Sequence, residues 1–178
     1  MFGPVIEGEN IRLAPLTMEL MGAFVPWLSD PEVIYYMGLR ACPTLEMEKE
    51  WYERVSKSDT DLIWGIFLGE RLIGSTGLHS IDWQNRRAIS GNLVGDKSVW
   101  RKGYGSEAAV LRTRYAFEML GLEKLKTEVF AENIASRRVL EKAGYQTVGL
   151  QRREVFRHGR WHDLWLGEVL RDDWLATQ

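Results

Sequence analysis

Residues 87–130 read as strand, basic glycine loop, long helix and strand, and this run constrains the fold more than any other feature. Residues 87–94 form the first strand, which Gly95-Asp96 ends. After Trp100-Arg101-Lys102-Gly103-Tyr104-Gly105 a helix is predicted over 106–120, with Ala108, Leu111, Tyr115 and Met119 on one face and Gly121 just past its end. Residues 125–130 form the second strand. Glycines at a helix entry let the backbone approach a ligand and turn several N–H groups toward one point. The helix N-terminus adds its positive dipole end, and Arg101 and Lys102 add whole charges. A phosphate or pyrophosphate is the natural guest.

Three readings of that loop compete. A Walker A loop requires G-x-x-x-x-G-K-[ST], and the chain has none. Gly103 to Ala108 does fit the dinucleotide fingerprint G-x-G-x-x-A, with Glu123 further on. That fingerprint follows its strand directly, whereas here Asp96-Lys97-Ser98 and Arg101-Lys102 intervene. The third reading is a plain loop with a glycine-rich helix entry.

Around this run, residues 10–16 read as a strand, and a helix follows Thr17 to about residue 28. Ser29-Asp30-Pro31 predicts a short helix, because Pro suits a first turn. A third helix begins at Thr44 and carries Trp51 and Val55 toward the core. Strands at 61–68 and 72–78 meet in a tight hairpin at Gly69-Glu70-Arg71. Asn133 caps a helix that Gly144 closes. The last strands, 145–150 and 164–170, flank a turn at Arg157-His158-Gly159-Arg160. The expected fold is α/β (α+β): one domain over residues 1–178, with a mixed sheet of about seven strands and helices on both faces.

Composition narrows the function. The chain has 178 residues, 27 % of them charged, and a net charge of −2, which suits one globular domain. No apolar run approaches the roughly 20 residues that span a bilayer, and the acidic N-terminus predicts no signal peptide. A lone cysteine, Cys42, excludes an internal disulfide and fits a reducing, cytoplasmic compartment. Three scattered histidines offer no metal-ligand spacing. Residues 1–60 hold 5 Lys/Arg against 10 Asp/Glu, a balance of −5, while residues 101–160 hold 13 against 7, a balance of +6. Either two electrostatically distinct surfaces or ordinary solvated faces would give this pattern. Without a continuous basic run, nucleic acid is not an expected partner.

The aromatic-x-x-G-x-G loop between a strand and a long helix resembles the pyrophosphate loop of GNAT acetyltransferases. Asn133-Ile134-Ala135-Ser136, followed by Glu141-Lys142-Ala143-Gly144-Tyr145, is similar to the branch that acetylates ribosomal-protein N-termini and related small amines. Ile11-Arg12-Leu13-Ala14-Pro15-Leu16 and Gly159-Arg160-Trp161-His162-Asp163 resemble the same branch. Two departures are visible. Trp100 stands where many relatives have Gln or Arg, as is familiar in this branch, and Leu140 stands where others carry a tyrosine proton donor.

The resemblance implies N-acetyl transfer from acetyl-CoA to a primary amine, a peptide N-terminus or a small cationic amine, by direct attack on the thioester. It implies a cofactor site made of the strand Asn92-Leu93-Val94, the loop Trp100, Arg101, Lys102, Gly103, Tyr104, Gly105 and Ser106, and Asn133 with Arg137. Asn133 can serve equally as a helix N-cap. Ser136 is the implied proton donor to the leaving thiolate. Glu154 is the first candidate base, with His79, Asp82 and Glu128 as alternatives. Trp27, Trp83 and Trp161 are candidate walls of the acceptor site, and a homodimer through sheet edges is a further expectation. A non-catalytic acyl-CoA-binding module and an aminoglycoside or amino-sugar acetyltransferase are the alternative functions.

Overall fold

The apolar run from Leu62 to Leu68 is buried on both faces, and it forms a central strand of an eight-stranded sheet. The computed structural model describes residues 1–39 and 41–177. In chain order the elements are β1 (Ile6–Glu7), β2 (Arg12–Ala14), α1 (Met21–Leu28), α2 (Leu45–Lys57), β3 (Leu62–Leu68), β4 (Arg71–Asp82), β5 (Arg87–Val94), α3 (Tyr104–Glu118), β6 (Lys124–Phe130), α4 (Ile134–Lys142), β7 (Gln146–Arg157), β8 (Arg160–Leu170) and α5 (Arg171–Leu175). The sheet order is β1-β2-β3-β4-β5-β6-β8-β7. Neighbours are antiparallel except β5 and β6, which α3 joins as a parallel pair.

Side chains alternate between two cores. On one face Trp64, Ile66, Leu78, Ala88 and Leu125 pack with Ala108, Leu111 and Phe117 of α3. On the other, Ile63 and Phe67 pack with Met21, Phe24 and Leu28 of α1 and Val55 of α2. Burying side chains of this size stabilises by about 1.5–3 kcal/mol each, so both helix layers are firmly anchored to the sheet.

The sheet gains one strand over expectation, the two-residue β1, and α5 follows β8. Both are too short to leave a periodic signal. The predicted short helix after Pro31 is instead a series of turns. Asp30 draws its own chain into a turn by accepting the Glu32 amide (2.9 Å), and it also binds Lys97 Nζ at 2.6 Å. Met119 is 70 % exposed, because α3 ends at Glu118 and the chain turns away through Gly121 at φ +62°. β7 and β8 run much further than expected, up to the turn at Gly159 (φ +72°). Among the described residues, no helix is long and apolar enough to cross a membrane.

Candidate active site

The parallel pair is short. β5 and β6 are in register only where Arg87–Ile89 meet Lys124–Lys126, and from Ser90 to Val94 β5 pairs with β4 alone. The strands therefore part as a wedge. Its apex is pinned by hydroxyls: Tyr145 Oη donates to Ser90 Oγ (2.7 Å), and Ser90 Oγ donates to the Lys126 carbonyl (3.3 Å). Beyond the apex, the β5 backbone presents N–H and C=O groups that no strand takes up. An unpaired edge of this kind accepts an extended, amide-bearing ligand.

What keeps that edge in place is a residue the sequence did not single out. Arg112 of α3 is fully buried, and its Nη1 donates to Thr76 Oγ1 (2.7 Å), the Gly91 carbonyl (2.9 Å) and Asn92 Oδ1. Its Nε and Nη2 have no partner among the described residues. Asn92 passes the linkage on, with Nδ2 donating to the Gly105 carbonyl at 2.9 Å. The Asn92 side chain is thus a brace between β5 and α3, which leaves its backbone to face the wedge. Trp100 Nε1 donates to the Val94 carbonyl (2.8 Å) and fixes the end of the same strand.

The glycine loop opens at this end of the wedge. Gly103 is the N-cap of α3, sits in the left-handed region at φ +93°, and gives the helix no side-chain cap. The Ser106 amide turns back to the Gly103 carbonyl (2.9 Å), and the amides of Tyr104 and Gly105 are left for an anion. A Cβ on Gly105 would lie 3.3 Å from Val94 Cγ2 and 3.9 Å from Val139 Cγ2, so β5, α3 and α4 converge there. Arg101 and Lys102 are exposed at its rim, and Tyr104 and Ser106 are half-buried. Asn133 Oδ1 accepts the Ser136 amide at 3.1 Å, which leaves Nδ2 as the group available to a ligand. Arg137 lies over the Trp165 ring, 5.3 Å from its centroid, and packs α4 onto β8. Leu140 is buried in the core. Glu123 pairs with Arg86 at 2.8 Å, which gives it a structural partner.

On the face opposite α3, a cavity of about 340 Å³ lies between α1, α2 and β3–β5, and it reaches Gly91, Asn92 and Leu93 at the wedge. Phe24, Met37, Trp51 and Ile63 supply apolar walls, and Glu48 and His79 supply the titratable groups. Glu48 is only 8 % exposed, and burial pushes its carboxyl above the usual carboxylate range. Asp61 Oδ1 lies 3.4 Å from His79 Nδ1. Burial holds the His79 imidazole below the ordinary histidine value; Asp61 opposes that shift and Arg112 adds to it.

The other candidates lie elsewhere. Glu154 and Glu128 are exposed on β7 and β6, away from the cavity lining. Asp82 is engaged with Asn85 and Arg87 in the β4–β5 turn. The indole in the cavity wall is Trp51; Trp83 donates to the Asp59 carbonyl (2.9 Å), Trp161 packs on Phe156, and Trp27 packs on Phe24. Of the acidic residues in the first part of the chain, Asp30 and Glu32 are paired with Lys97, and Glu48 is the one lining the cavity.

The segment between α1 and α2, which supplies Met37 and Leu39 to the cavity, is held by the β7–β8 hairpin. Arg157 donates to the carbonyls of Leu39 (2.6 Å) and Gly38, and the His158 ring stacks on Tyr35 at 4.3 Å. His162, buried and paired with Glu132, donates from Nε2 to the Arg157 carbonyl at 3.0 Å. Arg157→Ala removes two charge-assisted bonds from this wall. The acceptor KM is expected to rise by about 3–10-fold with acetyl-CoA affinity unchanged. Steady-state kinetics against calorimetry separates the two quantities.

Residues 10–146 match the family of the acetyltransferase (GNAT) domain. The chain is 29 % identical over 165 residues to the uncharacterized N-acetyltransferase YoaA of Bacillus subtilis, covering 90 % of this chain and 93 % of YoaA. It is 26 % identical over 171 residues to the uncharacterized N-acetyltransferase p20 of Bacillus licheniformis, covering 93 % and 96 %. The fold is similar to that of spermidine N-acetyltransferase from Vibrio cholerae in complex with CoA and spermine, with a TM-score of 0.87 at 19 % identity over 94 % of this chain and 99 % of that one. With its splayed strand pair, its open glycine-capped helix and its sequence relatives in agreement, the chain belongs to the GNAT family of acetyl-CoA-dependent N-acetyltransferases.

Proposed function

We propose that the acceptor is a primary amine that arrives as a cation, a peptide or protein N-terminal amine or a small polyamine-like molecule, and that it binds in the cavity under α1 and α2. The observation that carries this is Glu48, a largely buried residue whose carboxylate opens onto the cavity between apolar walls, with no hydrogen-bond or ion-pair partner among the described residues. A buried carboxylate without a cation is costly, and an incoming ammonium offsets that cost. The names of YoaA and p20 specify no particular amine. The resemblance to the ribosomal-protein branch supports a peptide α-amine, and the fold neighbour crystallised with spermine supports a polycation.

In the transfer, the acetyl-CoA phosphates rest on the amides of Gly103 to Gly105, with Arg101 and Lys102 beside them. The pantetheine arm enters the wedge against the backbone of Asn92, Leu93 and Val94, and Asn133 Nδ2 holds its amide. The acceptor nitrogen attacks the thioester carbonyl, forming C–N and breaking C–S. The arriving ammonium first sheds one proton, which frees the lone pair that attacks, and the nitrogen gives a second proton to a base as C–N forms; the departing thiolate takes a proton from Ser136, which solvent restores. Backbone N–H groups of β5 stabilise the oxyanion between these events. A homodimer would use the free edge at β7, where Val148, Leu150 and Phe156 are exposed. Sedimentation tests that assembly.

A CoA-release screen over peptide N-termini, polyamines, aminoglycosides and amino sugars tests the acceptor class. Glu48→Gln sharpens it: acceptor KM is expected to rise by about 10–100-fold, the loss of a hydrogen-bonded charge pair. Because the folded carboxyl holds its proton more tightly than the unfolded one, stability at Glu48 is lost as pH rises through the raised value. Glu48→Gln removes that loss, so the unliganded melting temperature at neutral pH should not fall. A best substrate that is anionic, or a KM unmoved in Glu48→Gln, sinks the cationic acceptor.

A further inference from the structure

His79 lies on β4, beside two glycines of the cavity lining, of which Gly77 also makes room for Ile63. Gly77 and Gly91 are register partners on β4 and β5. A Cβ on Gly77 would sit 3.3 Å from His79 Nε2, and one on Gly91 would sit 3.4 Å from the same atom. Nε2 therefore borders the cavity where it reaches the open edge of β5. The other ring nitrogen is held from behind. Asp61 Oδ1 faces Nδ1 at 3.4 Å, and Asp61 Oδ2 in turn accepts from Ser58 Oγ at 2.8 Å. A carboxylate at Nδ1 selects the tautomer that carries its proton there and a lone pair on Nε2.

We propose that His79 is the base of the acetyl transfer, with Nε2 taking the proton from the acceptor nitrogen while Asp61 positions the ring; this rests on the acetyl-transfer reading above. As the C–N bond forms, the nitrogen becomes strongly acidic, and its proton passes to Nε2. The ring then carries the charge beside Asp61 until solvent removes the proton. The charged groups around the ring are Asp61 behind it, Glu48 from α2 in the same cavity, and Arg112 from α3 beneath the sheet. Partial burial, and to a lesser extent Arg112, lower the imidazole from its ordinary value and so favour the neutral form that accepts a proton. A peptide α-amine, with an ordinary value near 8 (about 7.7–8.0), needs less help than an alkylamine near ~10, so the arrangement suits the former better.

The test uses the full chain with acetyl-CoA and two probes, an alanine tripeptide and spermidine. His79→Gln is expected to lower kcat by about 10²–10³-fold while leaving acetyl-CoA affinity within about twofold by calorimetry. The wild-type kcat at saturating amine should fall on acidification through one ionisation below the ordinary histidine value, and His79→Gln should lack that limb. With three histidines in the chain, imidazole NMR assigns the ionisation directly. Asp61→Asn removes the group that raises the imidazole, so NMR value and kinetic limb should both move further down together, which a merely structural role would not produce. Should His79→Gln fail to fold, Asp61→Asn carries the same decision. A wild type inert toward both probes and the wider amine screen overturns acetyl transfer, and this role with it. A wild type that turns over while His79→Gln keeps its acid limb, or a kcat within about threefold, overturns His79 alone.

Discussion

Gly103→Val is expected to raise the dissociation constant of acetyl-CoA by about 10–100-fold, roughly 1.4–2.8 kcal/mol. At φ +93° the position lies where a β-branched side chain is strained by about 1–3 kcal/mol. Relief of that strain turns the first-turn amides of α3 away from the phosphates. Nothing lies within 4 Å of the added Cβ, so the effect is conformational and not a clash. Gly69→Val is the control: it is also left-handed, at φ +58°, and equally free of neighbours, but it lies in the β3–β4 turn. It should share the loss of stability and keep acetyl-CoA affinity. Calorimetry and melting curves on both variants decide the matter; equal affinities for Gly103→Val and wild type would remove the loop from the cofactor site.

Ser136→Ala is expected to lower kcat by about 10²-fold with acetyl-CoA affinity unchanged, as loss of a leaving-group acid does. Leu140 is a buried core side chain and donates nothing. Asn133 Oδ1 holds the Ser136 amide and so fixes this serine at the first turn of α4. Solvent isotope effects should also change, because proton delivery to the thiolate becomes slower. A kcat within about threefold of wild type moves the donor to another group or to water.

What the sequence by itself determined is what short-range chemistry specifies. Asn133 reads as an N-cap and is one, because an Asn at a helix start satisfies its own backbone two or three residues on. The glycine loop, the strand before it and the long helix after it were legible for the same reason, and their order along the chain made the family resemblance specific. The periodic strands of the sheet centre were equally plain. Length of strand was not: β7 and β8 outrun their hydrophobic pattern because each pairs with the other well past the core, up to Gly159. The turns after Pro31 also escaped, since Asp30 meets Lys97 from far along the chain.

Only the tertiary structure decided which polar residues share a site. Among many carboxylates on α2, Glu48 alone faces the cavity, whereas the charge count weighs Glu46, Glu50 and Glu53 equally with it. Asp61 and His79 are neighbours because β3 and β4 are antiparallel, and no spacing in the chain predicts that meeting. Arg112 sits on a helix face that reads as ordinary polar sequence, yet it is fully buried under β5 and braces Asn92. The wedge itself depends on where parallel pairing stops, at Ile89 and Lys126, beyond which β5 keeps only β4 as its strand partner. Local propensity acts over a few residues, while a site is assembled by contacts many tens of residues apart, and those are selected by packing of the whole sheet.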